Sequence, residues 1–212
     1  MKGISKNTTN AANQQGSLFL KDPSETTRRA PLSEKAIKAY LLGCLHDGTY
    51  SSNKRYRFSQ KGKEWLKVLQ VLLRRIGYNS WIYCERKEND LYVLETLADF
   101  LDFFFNPLKL ESKKEKRAYL RGFFDAEGGT PKNSKDRFYI QLTQRDKIKI
   151  IKIKKILYEL GIRTGKIHNP SMRVDPNYWR IYVLANSQKL FLREIGSWHP
   201  RKIKVLRKRM VI

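Results

Sequence analysis

The sequence predicts an α+β fold made of two pseudo-symmetric αββαββα units, each a four-stranded antiparallel sheet backed by helices. Three observations predict this fold. An apolar helical segment that ends in a carboxylate and a glycine occurs twice, matching residues recur in the same order in both halves, and each half has the same order of periodic segments. We expect the two units to meet at an interface between the two repeated helices, called the motif helices below.

The motif helices are predicted around residues 39–48 and 118–128. Each copy carries small residues four positions apart, namely Ala39 with Gly43 and Ala118 with Gly122. Residues four apart share one face of a helix, so these small side chains favour close approach of a second helix. Each copy also ends in an acid directly before a glycine, Asp47 in the first and Glu127 in the second. The pattern predicts two carboxylates at the ends of two closely packed helices.

Further matches between the halves follow one another along the chain. Ala39 precedes Ala118 by 79 positions, Ser59-Gln60-Lys61 precedes Thr143-Gln144-Arg145 by 84, and Tyr92 precedes Tyr182 by 90. The offset only increases, and each increase falls in a turn-like stretch, as expected when two copies differ by insertions in loops. We therefore interpret the chain as an internal duplication.

Each copy has the same predicted elements after its motif helix. In the first copy they are a strand at 56–60, an amphipathic helix at 63–76, strands at 80–85 and 90–95, and a closing helix at 97–105. In the second copy they are a strand at 138–144, a helix at 147–160, strands at 165–168 and 179–185, and a helix at 187–195. Gly77 and Gly161 are suited to end the amphipathic helices, and Ser33 is suited to cap the first motif helix. A sheet with helices on one face leaves the other face for solvent or a ligand.

The composition indicates a folded protein that binds a polyanion. The 212 residues carry 44 Lys and Arg against 20 Asp and Glu, a net charge of +24, and such an excess favours an anionic partner. Nucleic acid is the first candidate and an acidic membrane surface the second. No apolar stretch approaches the roughly 20 residues that span a bilayer. Cys44 and Cys84 have neither zinc-site nor disulfide-framework spacing, so we expect a cytoplasmic protein.

The predicted division of the chain has five parts. They are a flexible N-terminal extension at 1–33, a first half at 34–108, a linker at 109–117, a second half at 118–200 and a basic C-terminal tail at 201–212. The extension is polar, and the alternative is an arm that contacts DNA. The tail is expected to add non-specific phosphate affinity and therefore salt sensitivity.

The predicted strands place a polar row on one face of each sheet. Alternation puts Arg55, Arg57, Ser59 and Lys61 on one face in the first half, and Tyr139, Gln141, Thr143 and Arg145 on one face in the second. Arg, Gln and Thr are side chains that contact base edges and phosphates, and a two-stranded ribbon fits the major groove. Other candidate DNA contacts are Tyr50, Arg137, Lys166, Arg173 and Arg180. The alternative is a solvated outer sheet face, which favours the same residue types.

These features together resemble the two-motif LAGLIDADG homing endonucleases, particularly the monomeric archaeal intron-encoded type. Residues 120–128 fit the nine-residue motif closely, with Glu127 at the position of the metal-binding acid. The first motif departs from it, because Asp47 follows Gly43 by four positions and Glu127 follows Gly122 by five. We interpret the difference as a one-residue deletion that keeps the acid. The alternative is a lost acid and an impaired site.

The resemblance implies a nuclease that binds double-stranded DNA at a long specific site, acts as a monomer with an internal pseudo-two-fold axis, and makes a staggered double-strand break. It implies that Asp47 and Glu127 meet at Mg²⁺, which Mn²⁺ or Ca²⁺ could replace, with the carbonyls of His46 and Ala126 completing the metal shell. It also implies catalytic support from strand-end residues, namely Gln60, Lys61, Gln144 and Arg145.

Two rival functions stay open at this point. A non-cleaving intron maturase or DNA-binding protein on the same fold would lack one or both acids, and the shortened first motif keeps this alternative open. A basic RNA-binding protein unrelated to the family would not carry two acid-ended helices at matching places.

Overall fold

The computed structural model describes residues 32–133 and 135–210. The helices are α1 (Glu34–Cys44), α2 (Glu64–Arg75), α3 (Lys113–Glu127), α4 (Lys147–Glu159), α5 (Ala185–Glu194) and α6 (Pro200–Met210). The strands are β1 (Gly48–Tyr50), β2 (Tyr56–Lys61), β3 (Ser80–Arg86), β4 (Leu91–Thr96), β5 (Gly128–Gly129), β6 (Gln141–Gln144) and β7 (Trp179–Tyr182). The extension predicted at 1–33 lies almost wholly outside the described residues and stays a prediction.

The motif helices begin at serine caps. The hydroxyl of Ser33 accepts from Ala36 N at 3.3 Å and that of Ser112 from Glu115 N at 3.1 Å, so each serine satisfies one of the free N–H groups of a helix start. The cap predicted at Ser33 is confirmed. Helix α3 begins at Lys113, inside the stretch that the sequence suggested as a linker.

The two halves differ in their sheets. The first is a four-stranded antiparallel sheet in the order β1-β2-β4-β3, as predicted. The second has three strands in the order β5-β6-β7. The strand predicted at 165–168 is reduced to isolated bridges, and the carbonyl of Gly165 accepts from Lys154 Nζ at 2.9 Å rather than from a strand partner.

The closing helix predicted at 97–105 is absent, and this prediction is wrong. Polar side chains there bond to nearby backbone and favour turns over a helix. Thr96 Oγ1 accepts from Ala98 N at 3.3 Å, and Asp102 Oδ1 accepts from Phe104 N at 2.8 Å. Pro107 then follows, and a proline disfavours helical backbone at the residue before it. The corresponding helix in the second half, α5, is present.

Residues 200–210, which include most of the predicted basic tail, form helix α6. Pro200 stands at its first position, where the missing N–H costs nothing. Lys202 and Leu206 are buried on one side, so α6 packs against the protein. None of the described helices is long and apolar enough to cross a membrane.

The two faces of the first sheet differ as predicted. Phe58 and Leu94 pair directly and are buried, whereas Arg57 pairs with Glu95 on the other face. Helix α2 buries Leu66, Leu69 and Leu73 and contacts strands of this sheet. The polar row on β2 therefore lies on the face opposite the core.

Candidate active site

Helices α1 and α3 pack against each other at their glycines. A Cβ added at Gly43 would lie 2.8 Å from Phe123 N, and one added at Gly122 would lie 2.9 Å from Cys44 N. Real Cβ atoms do not approach backbone this closely, so a side chain at either position would push the helices apart. Ala39 and Ala118 are buried in the same helices. The small-residue pattern thus predicted this interface correctly.

Asp47 and Glu127 occupy equivalent places in the two halves. Each directly precedes the glycine that begins the first strand of its half, Gly48 in β1 and Gly128 in β5. Gly48 pairs with Phe58 and Gly128 pairs with Leu142. Phe58 and Leu142 are 84 positions apart, the same offset as the Ser59 and Thr143 segments. The strand register therefore aligns the two acids.

A tighter turn absorbs the missing residue of the first motif. Helix α1 ends at Cys44, and Leu45–Asp47 form a 3₁₀ turn, whereas α3 continues as α-helix to Glu127. A 3₁₀ turn takes about 3.0 residues instead of 3.6. The deletion is therefore accommodated without loss of the acid from the helix end.

Two tyrosines cross the helix interface in a symmetric manner. Tyr40 donates from its hydroxyl to Asp125 Oδ2 at 2.7 Å, and the Tyr119 hydroxyl forms a hydrogen bond of 2.6 Å with His46 Nε2. Tyr119 follows Tyr40 by 79 positions, and Asp125 follows His46 by the same number, as the duplication requires. Burial lowers the pKa of His46 to about 3, so its imidazole is neutral. These pairs connect the two motif helices.

The electrostatics couple the two carboxylates. Burial, followed by the negative charge of Asp47, raises the pKa of Glu127 to about 7. Desolvation by the surrounding protein also raises the pKa of Asp47, although part of this residue remains accessible to solvent. Lys202 opposes the shift at both acids. The negative charge of Asp47 disfavours ionisation of Glu127, and a bound cation would stabilise both carboxylates in their charged forms.

The donor set fits a hard divalent cation. The two acids offer oxygen ligands, and Mg²⁺ commonly takes one or two carboxylates with water and phosphate oxygens. Among the described residues no group of three or more His, Cys, Asp or Glu side chains has metal-binding geometry. The remaining ligands would thus be main-chain carbonyls, water or phosphate. The carbonyl of Ala126 lies between those of Asp125 and Glu127, which accept from Lys202 and Thr143.

The strand-end residues predicted near the acids have different partners. Gln60 Nε2 donates to Asp47 Oδ2 at 3.1 Å, which places it in the site. Gln144 Nε2 instead lies 3.1 Å from His46 Nδ1. Lys61 is exposed at the end of β2. Arg145 is exposed and 3.6 Å from Asp175 Oδ2. The structure thus brings Gln60, more than the other three, to an acid.

Two arginines predicted to contact DNA are held on the first sheet by acids. Arg55 Nη1 lies 3.1 Å from Glu95 Oε2, and Arg57 Nε lies 3.3 Å from Glu95 Oε1. Arg57 also pairs with Glu85 and donates to Tyr83 OH at 3.3 Å. These ion pairs fix both guanidinium groups on the polar face, and their DNA-binding role stays a prediction.

The other predicted DNA contacts are spread over both halves. Tyr50 is 54% exposed, and Ser59 is partly exposed on β2. Tyr139 packs edge-on to Tyr182, and Arg180 Nε donates to His168 Nε2 at 3.1 Å. Three further predicted DNA contacts are exposed and lie in loops or turns, namely Arg137, Lys166 and Arg173.

Thr143 and Gln141 have partners within the protein. Thr143 Oγ1 donates to the carbonyl of Glu127 at 2.9 Å, which uses its hydroxyl proton inside the protein. Gln141 lies against Gly129, whose missing side chain leaves room for it. Thr143 therefore helps to hold the end of α3 in addition to any contact with DNA.

Lys202 is the residue of this region that sequence reasoning missed. Its side chain is 4% exposed, and Nζ donates to Asp125 O at 2.8 Å and to Phe124 O. Its burial excludes the phosphate contact expected of the tail. A signal was present, because Lys202, Val205, Leu206 and Arg209 recur at helical spacing.

Comparisons with known proteins agree with this arrangement. The family described as LAGLIDADG-like domain matches residues 37–107 and 114–196. Homing endonuclease I-ApeI from Aeropyrum pernix is 26% identical over 191 residues, which cover 79% of this chain and 84% of that protein.

Solved structures share the fold. I-DmoI in complex with DNA and Mn has a TM-score of 0.58 at 21% identity, covering 77% of this chain and 98% of that one. Full-length DUF199/WhiA from Thermatoga maritima has a TM-score of 0.63 at 18% identity, covering 86% and 62% of the two chains.

Proposed function

Because the chain belongs to the LAGLIDADG-like domain family, we propose that it is a site-specific homing endonuclease. It would bind double-stranded DNA as a monomer and make a staggered double-strand break by metal-dependent hydrolysis of phosphodiesters. The similarity to I-ApeI, a homing endonuclease, supports the activity.

The charge of the protein supports DNA as the partner. The net charge is +24, and the face of the first sheet opposite the core carries Arg55 and Arg57. Related I-DmoI structures were determined with DNA and with Mn or Ca. Two similar sheets in one chain suit a long target with two half-sites, one read by each half.

Asp47 and Glu127 would bind the metal ion together, and each acid would serve the cleavage of one DNA strand. When Mg²⁺ is bound by Asp47 and Glu127, it supplies Lewis-acid stabilisation of the charge that develops at the scissile phosphates. The main-chain carbonyls of His46 and Ala126 are proposed to complete the ligand set. Asp47 from one half and Glu127 from the other match the two antiparallel strands of a duplex, one cut per strand.

Other residues of the chain orient the acids. Gln60 donates to Asp47 and leaves the second carboxylate oxygen for the ion. Thr143 holds the carbonyl of Glu127 and so fixes the end of α3. Lys61, Gln144 and Arg145 are proposed to bind phosphate or water beside them.

One observation carries the proposal: the strand register puts Asp47 and Glu127 in equivalent places, and the charge of Asp47 contributes to the raised pKa of Glu127. A protein that had lost one acid from the first motif would not have this arrangement. It therefore favours a nuclease over a non-cleaving maturase.

The test begins with a target obtained by selecting bound duplexes from a randomised DNA pool in Ca²⁺. A plasmid with the selected site should be linearised by the wild-type protein in Mg²⁺. Asp47→Asn and Glu127→Gln should each abolish cutting while binding persists, because each removes a charged oxygen ligand. Glu111→Gln, an exposed acid near the start of α3, is the matched control and should cut normally.

Two results would go against the proposal. Full cutting by both acid variants would refute the assignment of the site. Tight binding of the selected duplex by the wild-type protein, without cutting in Mg²⁺ or Mn²⁺, would favour the non-cleaving DNA-binding alternative.

A further inference from the structure

The chain continues beyond the family match, which ends at residue 196, and this segment packs against the motif helices. Trp198 N donates to Asp125 Oδ2 at 2.9 Å, and the hydroxyl of Ser197 donates to Asp125 Oδ1. The Trp198 ring lies 4.5 Å from that of Tyr40, between ring centroids. Asp125 in α3 and Tyr40 in α1 are thus both held by residues 197–198, which precede α6.

Helix α6 places the side chain of Lys202 against the last turn of α3. Lys202 Nζ donates to the carbonyls of Phe124 and Asp125, the second at 2.8 Å, and lies 4.9 Å from the centroid of the Phe124 ring. Carbonyls in the last turn of a helix lie at the negative end of its dipole, and that of Phe124 accepts from both Gly128 N and Lys202. They are therefore suited to bind a buried ammonium group, which would otherwise be costly to remove from water.

The ammonium group is within electrostatic reach of both acids. Its positive charge acts to lower the pKa values of Asp47 and Glu127, although burial raises them overall. Burial lowers the pKa of Lys202 itself to about 8, against the opposing effect of Asp125. The group therefore belongs to the same charge cluster as the acids, although it lies on a helix that the family match does not include.

We propose that Lys202 is a positioning residue of the nuclease centre, which holds the last carbonyls of α3 and thereby fixes Glu127. This inference rests on the proposed function. Lys202 acts on the helix end that carries Glu127, whereas Asp47 is oriented by Gln60 in the other half. Loss of the ammonium group should therefore impair the strand served by Glu127 more than the strand served by Asp47.

The variant that tests the proposal is Lys202→Met, which removes the ammonium group and keeps an unbranched apolar chain. Lys67→Met is the matched control, because Lys67 is exposed on α2, which covers the core face of the first sheet. Two quantities are compared with the wild-type protein, the hydrogen exchange of the amides in residues 124–128 and the single-turnover cleavage rates of the two separately labelled strands.

With Lys202→Met we expect exchange at the end of α3 to accelerate about tenfold through local opening. We expect one strand to be cut about tenfold more slowly relative to the other, so that nicked DNA accumulates, a loss typical of residues that orient a metal ligand. Binding of the target in Ca²⁺ by Lys202→Met should match that of the wild-type protein, and Lys67→Met should match the wild-type protein in all of these measurements.

Unchanged exchange and an unchanged ratio of strand rates would overturn the proposal, and so would equal slowing of both strands with a lower melting temperature. If Lys202→Met does not fold, Lys202→Arg, which keeps the charge but displaces the donors, is judged by the same two quantities. The exchange measurement requires no cleavage, so a wild-type protein that cuts no DNA refutes the nuclease separately from the role of Lys202 at the helix end.

Discussion

Asp47 directly precedes Gly48, which begins β1, and Glu127 directly precedes Gly128, which begins β5. The two acids therefore occupy equivalent positions at the ends of the two motif helices. The match survives a difference of one residue between the motifs. A 3₁₀ turn at Leu45–Asp47 in one half replaces the last α-helical turn in the other. The position of an acid relative to the strand, more than its distance from the motif glycine, thus identifies the equivalent residue.

The raised pKa of Glu127 predicts how stability depends on pH. This pKa is about 7 in the folded protein against 4.5 for the ordinary group. Between these values the folded protein keeps a proton that the unfolded chain has lost, so the free energy of unfolding should fall as pH rises through this window. Glu127→Gln should flatten the decrease in urea unfolding with EDTA present. The exposed variant Glu111→Gln should not, and an unchanged slope in Glu127→Gln would contradict the assignment.

The different partners of the paired glutamines predict unequal effects. Gln60 donates to Asp47, whereas Gln144 contacts His46. Gln60→Ala should slow single-turnover cleavage about tenfold or more without weakening DNA binding, because Asp47 loses its orienting donor. Gln144→Ala should have a smaller effect. Equal losses in both variants would show that the symmetry of the sequence, and not the observed contacts, determines their roles.

The contact of α1 and α3 predicts a strong effect of a single methyl group. Gly122→Ala should improve intrinsic helix propensity by about 1 kcal/mol. The added Cβ would nevertheless overlap the backbone of α1, and overpacking of this kind costs about 1–3 kcal/mol or more. We expect a net decrease in the free energy of unfolding, measured by the midpoint in urea.

Gly165→Ala is the control for this substitution, since the nearest atom to its new Cβ would be Tyr182 O at 3.9 Å. It should change stability by less than about 0.5 kcal/mol. A Gly122→Ala protein as stable as the wild type would mean that the helices can separate at no cost.

The exposed side of α6 predicts a change in salt dependence. The exposed cations of this helix are Arg201, Lys204, Arg207 and Lys208. Replacing all four with Gln should reduce the slope of log K against log salt by about 0.9 for each side chain that contacts a phosphate. Replacing Lys67 and Arg74 on α2, which covers the opposite face of the first sheet, should leave the slope nearly unchanged. An unaltered slope in the α6 variant would exclude this helix from the DNA interface.

The sequence predicted the parts of the fold that depend on repetition and period. Phe58 and Leu142, which are 84 positions apart, pair with the glycines that follow the two acids, so the sequence offset matches the strand pairing in both halves. The small residues of the motifs lie at the contact between the two motif helices, as predicted. The turn chemistry of Asp102 overrode the apolar run that suggested a helix at 97–105. This competition between local side-chain bonds and helix formation is not visible in hydrophobic period alone.

Lys202 escaped prediction because lysine is almost never buried without a partner. Its partners are main-chain carbonyls of α3, which no residue pattern specifies, and a run of basic residues around it suggested a solvated tail. The acids themselves were predictable as a pair. The sequence also indicated Gln60 as a supporting residue, but not Lys202, because the position of Lys202 depends on how the chain after residue 196 packs.

The most direct measurement is the anomalous scattering of Mn²⁺ in a crystal of the protein with its selected DNA. We predict a peak within about 2.0–2.3 Å of one carboxylate oxygen from Asp47 and one from Glu127, the distance range of oxygen ligands to such ions. Peaks that contact only one of these acids, or ions bound elsewhere on the protein, would contradict it.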